Sequence, residues 1–138
     1  MINITKETSV SIDDVLHLYQ AVGWTNYTHQ PQMLEQALSH SLAIYLALDG
    51  DAVVGLVRLV GDGFSSVFVQ DLIVLPSYQR QGIGSDLMKE ALGDFKDAYQ
   101  VQLATEQTEK TLGFYRSLGF ETLSTYDCTG MIWVDRKK

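Results

Sequence analysis

Apolar side chains recur along the chain at two different spacings, and the spacing changes near residue 42. Before this point they fall three and four positions apart, the period of an amphipathic helix, whereas beyond it they gather into short runs typical of strands. One helical stripe comprises Ile12, Val15, Leu16, Tyr19 and Val22, and the other comprises Met33, Leu34, Ala37 and Leu38. We therefore predict two helices in this part, preceded by a short first strand over residues 2–6.

Residues suited to helix ends flank both stripes. Ser11 is predicted to cap the first helix, because its hydroxyl can accept a hydrogen bond from an amide of the first turn. Gly23 is suited to end that helix, and Pro31 fits the first turn of the second helix. The connection between the two helices carries two aromatic residues, Trp24 and Tyr27.

Three consecutive strands are predicted in the middle of the chain. The apolar runs over residues 42–48 and 52–60 are separated by Asp49-Gly50-Asp51, which is a strong hairpin signal. Gly61-Asp62-Gly63 forms a second turn, and a third long strand is predicted over residues 65–75. We expect these three strands to be antiparallel neighbours.

The remaining apolar positions return to helical spacing, then to strand spacing, and then to a last helix. The third helical face comprises Ile83, Leu87, Met88, Ala91 and Phe95. A strand over residues 99–104 follows, and then a fourth helix that Thr108 caps and Gly119 ends. Residues 120–126 and 131–134 are predicted to form a closing hairpin.

This order of elements predicts an α/β protein of the α+β type, in a single domain over residues 1–138. The unit over residues 65–104 runs strand, helix, strand, so its two strands are expected to be parallel. The sheet is then mixed and mostly antiparallel, with six to seven strands and about four flanking helices. A chain of 138 residues buries about two thirds of its unfolded surface, which is enough for one core.

The charge balance argues against two classes of partner. Seventeen acidic and ten basic residues give a net charge of −7, whereas nucleic acid and anionic membranes attract clustered positive charge. The single cysteine, Cys128, excludes an intrachain disulfide, and the three histidines show no metal-ligand spacing, so we predict no metal. The longest apolar run is too short to span a bilayer, and the first residues lack the apolar core of a signal peptide. We therefore expect a cytoplasmic protein.

Residues 79–85 join a predicted strand to a predicted helix and are the strongest candidates for chemistry. The first amides of a helix have no partner within the helix, and the helix dipole adds partial positive charge, so such a turn binds anions. Gly82 and Gly84 let a phosphate approach the backbone, and Arg80 adds a cation. A plain turn between strand and helix explains these glycines equally well when they are taken alone. Leu87 occupies the third glycine position of a dinucleotide fingerprint, which excludes that motif.

The surrounding residues resemble the signatures of the GCN5-related N-acetyltransferases (GNAT). The stretch Val74-Leu75-Pro76-Ser77-Tyr78-Gln79-Arg80-Gln81-Gly82-Ile83-Gly84 is similar to the acyl-CoA-binding motif of that family, Val-x-Pro-x-Tyr followed by Arg/Gln-x-x-Gly-x-Gly/Ala. Phe114-Tyr115-Arg116-Ser117-Leu118-Gly119-Phe120 is similar to the second signature, Phe-Tyr-x-x-x-Gly-Phe. Asp49-Gly50-Asp51-Ala52-Val53-Val54-Gly55 resembles the usual hairpin between the second and third strands of the family. The three matches keep the order of the family and cover residues 42–126.

The resemblance implies how acetyl-CoA, the expected co-substrate, is held. In the family two parallel strands splay apart, and the pantetheine arm lies between them and pairs with their backbone like an added strand. Backbone groups of Leu72, Ile73 and Val74 are then expected to hold the arm and the thioester. Phe114 is expected to pack in the core or to form a wall beside the cofactor. The pyrophosphate is expected at the loop, on Gln79, Arg80, Gln81, Gly82, Ile83, Gly84 and Ser85.

The resemblance also assigns roles in the reaction, which is attack of an amine on a thioester. Tyr115 falls where the family often has a tyrosine facing the CoA sulfur, so we expect it to protonate the departing thiolate, while its ring also belongs to an apolar stripe. Related diamine acetyltransferases carry an acidic pair where this chain has Gln70 and Asp71, so Gln70 departs from that pattern. An amide can orient a water or bind substrate but cannot accept the proton. Asp71 is expected to act as the base or to bind the amine, or else to be a structural carboxylate. The two side chains point to opposite faces unless the strand bulges between them.

Trp24 and Tyr27 are the candidates for binding the acceptor, together with Gln70. The family forms part of its acceptor site between the first two helices, and aromatic rings bind amines through cation–π contacts. Alternatively, these rings pin the loop to the core. Arg58, on a predicted strand, has either an acidic neighbour or an acceptor carboxylate as its partner.

We therefore expect an enzyme that transfers an acetyl group from acetyl-CoA to the primary amine of a small molecule by direct attack. The alternative is a non-catalytic acyl-CoA-binding sensor or interaction module, which the amide at Gln70 would suit. Small transferases of this kind often dimerise, so a homodimer is one expected partner state. Residues 136–138 are predicted to be a solvated basic tail.

Overall fold

The computed structural model describes residues 1–135, which fall into two compact units, one over Met1–Leu103 and one that begins at Ala104. The predicted solvated tail, residues 136–138, lies outside the described residues. Within residues 1–135, no helix is long and apolar enough to cross a membrane.

The first unit is built on a five-stranded mixed sheet. Along the chain its elements are β1 (Ile2–Glu7), α1 (Ile12–Ala21), α2 (Thr25–Thr28), α3 (Pro31–Ser39), β2 (Ala43–Asp49), β3 (Ala52–Gly61), β4 (Ser66–Val74), a 3-10 turn (Pro76–Tyr78), α4 (Ile83–Asp94) and β5 (Gln100–Leu103). The strands follow one another in chain order across the sheet, and all neighbours are antiparallel except β4 and β5, which are parallel. The predicted run of three antiparallel strands and the predicted parallel pair are both confirmed.

Local turn chemistry places the ends of the first helices as the sequence predicted. The Ser11 hydroxyl accepts a hydrogen bond from the Asp13 amide at 3.3 Å, and Gly23 follows α1 with a φ of +71°. Pro31 is the first residue of α3. The connection between them contains the additional one-turn helix α2, which the sequence analysis treated as a loop.

The second unit contains one α-helix, α5 (Glu109–Ser117). The Thr108 hydroxyl accepts a hydrogen bond from the Thr111 amide at 3.2 Å, which confirms the predicted cap. Gly119 follows the helix with a φ of +98°, a conformation that favours glycine. The described residues thus hold five α-helices, compared with about four predicted.

The predicted closing hairpin does not form within residues 1–135, so the expected six to seven strands are reduced to five. The first half of that hairpin contains a 3-10 turn, Leu123–Tyr126, and the amide of Cys128 donates to the Leu123 carbonyl at 3.0 Å. These local bonds occupy backbone groups that a strand ladder would need. Residues 131–134, the second half, are assigned to no strand.

The helices α1, α2 and α3 pack on one face of the sheet and form its main core. Its buried members are Val15, Leu18, Tyr19, Tyr27, Leu34, Leu38, Ile44, Leu46, Leu56 and Ile73. The opposite face packs against α4, because a Cβ atom added to Gly55 would lie 3.2 Å from the Leu87 side chain. Gly55 and Leu56 are consecutive residues of β3, so their side-chain positions alternate between these two faces.

The alternation of β4 side chains between the two faces of the sheet is interrupted at Gln70. Arg58 of β3 pairs with Asp71, whereas the next residue, Leu59, pairs with Val69, so Gln70 is an extra residue without a partner on β3. Residues directly opposite each other share a face, and consecutive residues of one strand do not. Asp71 therefore lies with Arg58 on the face covered by α1–α3, and Val69 lies with Leu59 on the α4 face. The β-bulge therefore directs the carboxylate of Asp71 toward helices α1–α3.

Candidate active site

The loop before α4 has the geometry of an anion-binding turn. Gly82 precedes the helix with a φ of +82°, and nothing lies within 4 Å of a Cβ atom added there. The Asp86 amide donates to the Gly82 carbonyl at 2.9 Å, so the first closed turn of the helix begins at this glycine. The amides at the start of α4 have no partner within the helix and open toward the space above Gly82. A phosphate can therefore reach these N–H groups without meeting a side chain at this position.

The other loop residues divide into exposed and buried positions. Arg80 is exposed and adopts a φ of +66°, which is uncommon for a residue with a side chain. Gln81 is also exposed, whereas Ile83 is buried and anchors the start of α4. Ser85 is half-buried in the first turn. The side chain of Arg80 is thus accessible to solvent, whereas Ile83 can contribute only its backbone.

Within Met1–Leu103, the second part of β4 has no partner strand on the side of β5, and we call this side its open edge. The parallel pairing with β5 joins Ser66–Val69 to Gln100–Leu103, and β4 continues beyond it to Val74. The Leu75 amide donates to the Val54 carbonyl at 2.9 Å, so the backbone groups of Leu75 and of alternate residues face β3. By this alternation Ile73 also faces β3, whereas Leu72 and Val74 turn their amides and carbonyls to the open edge. Of the three residues predicted to hold the pantetheine arm, Leu72 and Val74 present their backbone there.

The side chain of Gln79 reaches the same edge. Its Nε2 atom donates to the Val74 carbonyl at 3.1 Å. Gln79, predicted to contact the pyrophosphate, therefore donates a hydrogen bond to the carbonyl of Val74, a residue predicted to hold the pantetheine arm. An incoming amide of the arm would compete for this carbonyl, or would share it, because a carbonyl oxygen has two lone pairs.

Asp71 lies at the centre of a buried hydrogen-bond network. Its side chain is 2% exposed and forms an ion pair with Arg58, with 2.7 Å between Oδ2 and Nε. The hydroxyl of Tyr19 donates to Oδ2 at 2.8 Å, and the hydroxyl of Tyr27 donates to Oδ1 at 3.0 Å. Arg58 completes its bonding with the Ser41 hydroxyl at 3.2 Å. The acidic neighbour expected as one of two partners of Arg58 is thus Asp71, and this carboxylate is satisfied by three donors.

Tyr27 links this network to Gln70. Its hydroxyl lies 3.3 Å from Nη2 of Arg58 and 3.4 Å from Nε2 of Gln70, in addition to its bond to Asp71. The bulge is the reason that Gln70 and Asp71 both reach this hydroxyl, because regular alternation would send them to opposite faces. Trp24 packs near Tyr27, with ring centroids 6.3 Å apart, and is half-buried. Both predicted acceptor-site aromatics therefore join the predicted Gln70 at one place.

Burial and the carboxylate keep the tyrosines of the network neutral. Burial, then the charge of Asp71, raises the pKa of Tyr19 far above its usual range. The same two causes raise the pKa of Tyr27, and the amide of Gln70 partly offsets them. For Arg58, burial is the largest single effect and lowers the pKa, but the charge and hydrogen bond of Asp71 together with the two tyrosines outweigh it, and the net shift is upward. Arg58 therefore keeps its positive charge and the two phenols keep their protons around neutral pH.

Tyr115 and Phe114 lie in α5 of the second unit. The two rings form an edge-to-face pair with centroids 5.0 Å apart, and Phe120 contacts Tyr115 in the same manner at 5.9 Å. Tyr115 is half-buried. Burial raises the pKa of its hydroxyl, and Thr105 partly offsets the shift. The side chain therefore retains its proton at neutral pH, as a general acid must.

Two members of the buried network, Tyr19 and Ser41, were not among the predicted functional residues. Tyr19 was assigned only to the apolar stripe of α1, although its hydroxyl bonds Asp71. A hydroxyl in a fully buried stripe position needs a polar partner, and this requirement is the signal that could have identified it. No pattern in the sequence points to Ser41, because its bond to Arg58 depends on the packing of α3 against the sheet.

Comparisons with known proteins agree with this architecture. A family model described as the acetyltransferase (GNAT) domain matches residues 40–122. An acetyltransferase of the GNAT family from Streptococcus pneumoniae TIGR4 is 81% identical over 99% of both chains, with a TM-score of 0.92. A GNAT family acetyltransferase from Elizabethkingia anophelis shares the fold at 22% identity, with a TM-score of 0.64 over 87% of this chain and 76% of that one. The rice protein serotonin N-acetyltransferase 2, chloroplastic, is 28% identical over 82% of this chain, which spans 58% of the length of that relative.

The matched segment contains the Gly82 loop, the second part of β4 and the Arg58–Asp71 ion pair, whereas Tyr19 and Tyr27 precede it. It also covers more than half of the chain. The chain therefore belongs to the GNAT family of acetyltransferases.

Proposed function

We propose that this protein transfers an acetyl group from acetyl-CoA to the primary amine of a small molecule by direct attack. The observation that carries the proposal is the open turn at Gly82 beside the open edge of β4. The turn at Gly82 suits a diphosphate, and the edge of β4 suits an extended chain with amide groups. Coenzyme A combines both groups. The Elizabethkingia relative supports this choice, because its structure was determined with acetyl-CoA bound.

In the proposed complex, the first amides of α4 and the side chain of Arg80 hold the pyrophosphate. The amides and carbonyls of Leu72 and Val74 pair with the pantetheine arm as an additional strand would. The Val74 amide is the proposed donor to the oxyanion of the tetrahedral intermediate, because backbone N–H groups in a fixed position stabilise such charge.

The reaction requires an amine that has lost its proton. Its nitrogen forms a bond to the thioester carbonyl carbon, and the intermediate collapses as the carbon–sulfur bond breaks. The proton released from nitrogen passes to water, and Tyr115 donates a proton to the leaving thiolate before it is reprotonated by solvent. Burial keeps the Tyr115 hydroxyl protonated, which is the state that a general acid requires. Asp71 accepts hydrogen bonds from three donors, so we assign it the positioning of Tyr27 and Arg58 instead of the removal of the proton.

The acceptor is proposed to bind beside Trp24, Tyr27 and Gln70. Gln70 offers a polar contact without a net charge, and the indole of Trp24 offers an aromatic face. The Tyr27 hydroxyl already bonds Asp71, Arg58 and Gln70, so we assign it the positioning of Gln70. Such a surface suits a small amine with an aromatic or apolar body. The rice relative supports this class, because its name assigns it serotonin, an aromatic ethylamine, as substrate.

The test is release of free thiol from acetyl-CoA in the presence of serotonin, tyramine, spermidine and an amino sugar, each in turn. We expect turnover with at least one primary amine and none with an N-acetylated product as acceptor. Saturable binding of acetyl-CoA without thiol release for every amine would favour the non-catalytic sensor. Absence of acetyl-CoA binding would refute the proposal as a whole. Acetyl-CoA incubated with the protein in the absence of any amine serves as the control for background hydrolysis.

A further inference from the structure

A hydrogen bond between a tyrosine and an aspartate joins the segment before the Gly82 loop to strand β2. The Tyr78 hydroxyl donates to Oδ2 of Asp49 at 2.6 Å, a length typical of a bond to a charged acceptor. Tyr78 is the last residue of the 3-10 turn after β4, and Asp49 is the last residue of β2. Neither side chain has a role in the proposed complex with acetyl-CoA.

The side chain of Asp49 points to the face of the sheet that α4 covers. Ala47 lies on that face, because its Cβ atom is 3.4 Å from a Cβ atom added to Gly55. Side chains alternate along a strand, so Tyr45 and Asp49 of β2 point the same way as Ala47. The Tyr45 hydroxyl donates to Oδ2 of Asp94, the last residue of α4, at 2.7 Å. This strand therefore carries two tyrosine–aspartate bonds on its α4 face.

The two bonds hold α4 near its opposite ends. Tyr45 and Asp49 are about 13 Å apart along an extended strand, and the twelve residues of α4 form a helix about 18 Å long. The bond to Asp94 fixes the end of the helix that is remote from the phosphate turn. The bond from Tyr78 fixes the segment that leads into this turn.

The loop itself has little else to keep its shape on the β4 side. Arg80 and Gln81 are exposed, so core packing does not hold them. Arg80 and Gly82 both have positive φ, +66° and +82°, and this conformation is unfavourable for Arg80. Gln79 bonds the Val74 carbonyl, which is itself proposed to bind the pantetheine arm. The bond between Tyr78 and Asp49 is thus the support that involves no proposed cofactor-binding group.

We infer that Asp49 and Tyr78 are positioning residues for the diphosphate of coenzyme A. They hold the loop in the conformation that aligns the first amides of α4 before the cofactor arrives. A loop that already has its bound conformation loses less entropy on binding, so the support increases affinity without touching the ligand. The inference rests on the proposed function, because it requires the diphosphate to bind at Gly82.

The first test measures the binding of CoA by calorimetry. Tyr78→Phe removes only the hydroxyl and should weaken CoA binding about 3- to 10-fold, the range expected for one hydrogen bond. The matched control is Tyr45→Phe, which removes the corresponding hydroxyl at the other end of α4 and should leave CoA affinity unchanged. Unchanged affinity in Tyr78→Phe, or an equal loss in both variants, would overturn the inference while leaving the proposed function intact. A wild type that does not bind CoA would refute the proposed function, and the inference with it.

The second test separates the hydrogen bond from the charge of Asp49. Asp49→Asn and Asp49→Ala both remove the charge, but only asparagine keeps an oxygen acceptor for Tyr78. We expect CoA to bind Asp49→Ala about 3- to 10-fold more weakly than Asp49→Asn. Adding Tyr78→Phe to Asp49→Ala should cause no further loss, because the two residues act as one support. Equal affinities of the two Asp49 variants, or a further loss in the double variant, would overturn the inference.

The third test uses pantetheine, which lacks the diphosphate, in NMR titrations of the labelled protein. Tyr78→Phe should bind pantetheine as the wild type does, because the support acts only on the phosphate loop. An equal weakening of CoA and pantetheine binding would indicate general damage to the site, and the inference would be wrong.

Discussion

The buried pair of Arg58 and Asp71 allows a decisive test of what the carboxylate does. In the wild type, the two carboxylate oxygens of Asp71 accept hydrogen bonds from Arg58, Tyr19 and Tyr27. Asp71→Asn replaces one of these oxygens with an NH2 group, which cannot accept, and removes the negative charge. The side chains of Arg58 and Asp71 are 5% and 2% exposed, so the arginine charge would be left in the interior without a counter-ion. Removal of one partner of such a pair costs about 3–5 kcal/mol. This is a large part of the total stability of a domain, which is about 5–15 kcal/mol.

Urea denaturation followed by circular dichroism measures this loss directly. We expect Asp71→Asn to unfold at a much lower urea concentration, and the double variant Arg58→Met with Asp71→Leu to recover most of the difference, because it removes both charges together. Turnover measured below the unfolding transition should fall in Asp71→Asn without a change in the acidic limb of the pH–rate profile. If Asp71→Asn is as stable as the wild type but loses that limb together with its turnover, the carboxylate is the base and our assignment is refuted.

Three further predictions concern the cofactor loop, the acid and the turn before β4. Gly82→Glu should weaken CoA binding about 100-fold or more, measured by calorimetry, because it places a negative charge at the phosphates. The control is Gly23→Glu, at another open glycine with positive φ, which should cost about 1–2 kcal/mol of stability and leave CoA affinity unchanged. Equal CoA affinities in the two variants would contradict the assignment of the loop. Tyr115→Phe should lower kcat about 100-fold with little change in KM for acetyl-CoA, whereas the control variant Tyr126→Phe should leave both constants unchanged. An unaltered kcat in Tyr115→Phe would remove Tyr115 from the mechanism. Bonds from the Ser65 hydroxyl and from successive amides lower the pKa of Asp62, so its stabilising effect should be present above about pH 4 and disappear as the pH falls further. Asp62→Asn should therefore lower Tm at pH 7 but much less at pH 2, and an equal shift at both pH values would disprove this linkage.

The sequence predicts features that depend on a few neighbouring residues. The caps at Ser11 and Thr108 and the glycine that follows each of these helices obey local rules, and the structure confirms them. The loop at Gly82 belongs to the same class, because its φ of +82° follows from a glycine at a helix start. Hydrophobic periodicity also gives the strand pairing of β2, β3 and β4 correctly.

Features that depend on two distant segments were harder to predict. The pairing of Arg58 with Asp71 requires the register between β3 and β4, and a one-residue shift in that register is not visible in either strand alone. The closing hairpin was wrong for a related reason. Its residues have strand-forming side chains, but local backbone bonds such as that from Cys128 to Leu123 satisfy the chain before a partner strand does. Side-chain propensity is a weak guide where such local bonds compete.

The extra residue of β4 has a consequence for changes in chain length. On both sides of Gln70, the pairing with β3 is already that of a continuous ladder, since Leu59 meets Val69 and Arg58 meets Asp71. Deletion of this single codon would therefore leave every cross-strand pair intact and keep the ion pair in place. We therefore expect the chain to fold without this residue, which the thermal unfolding of a Gln70 deletion variant would check. If the proposed role of Gln70 in acceptor binding holds, acceptor preference can change here through insertion and deletion as well as through substitution.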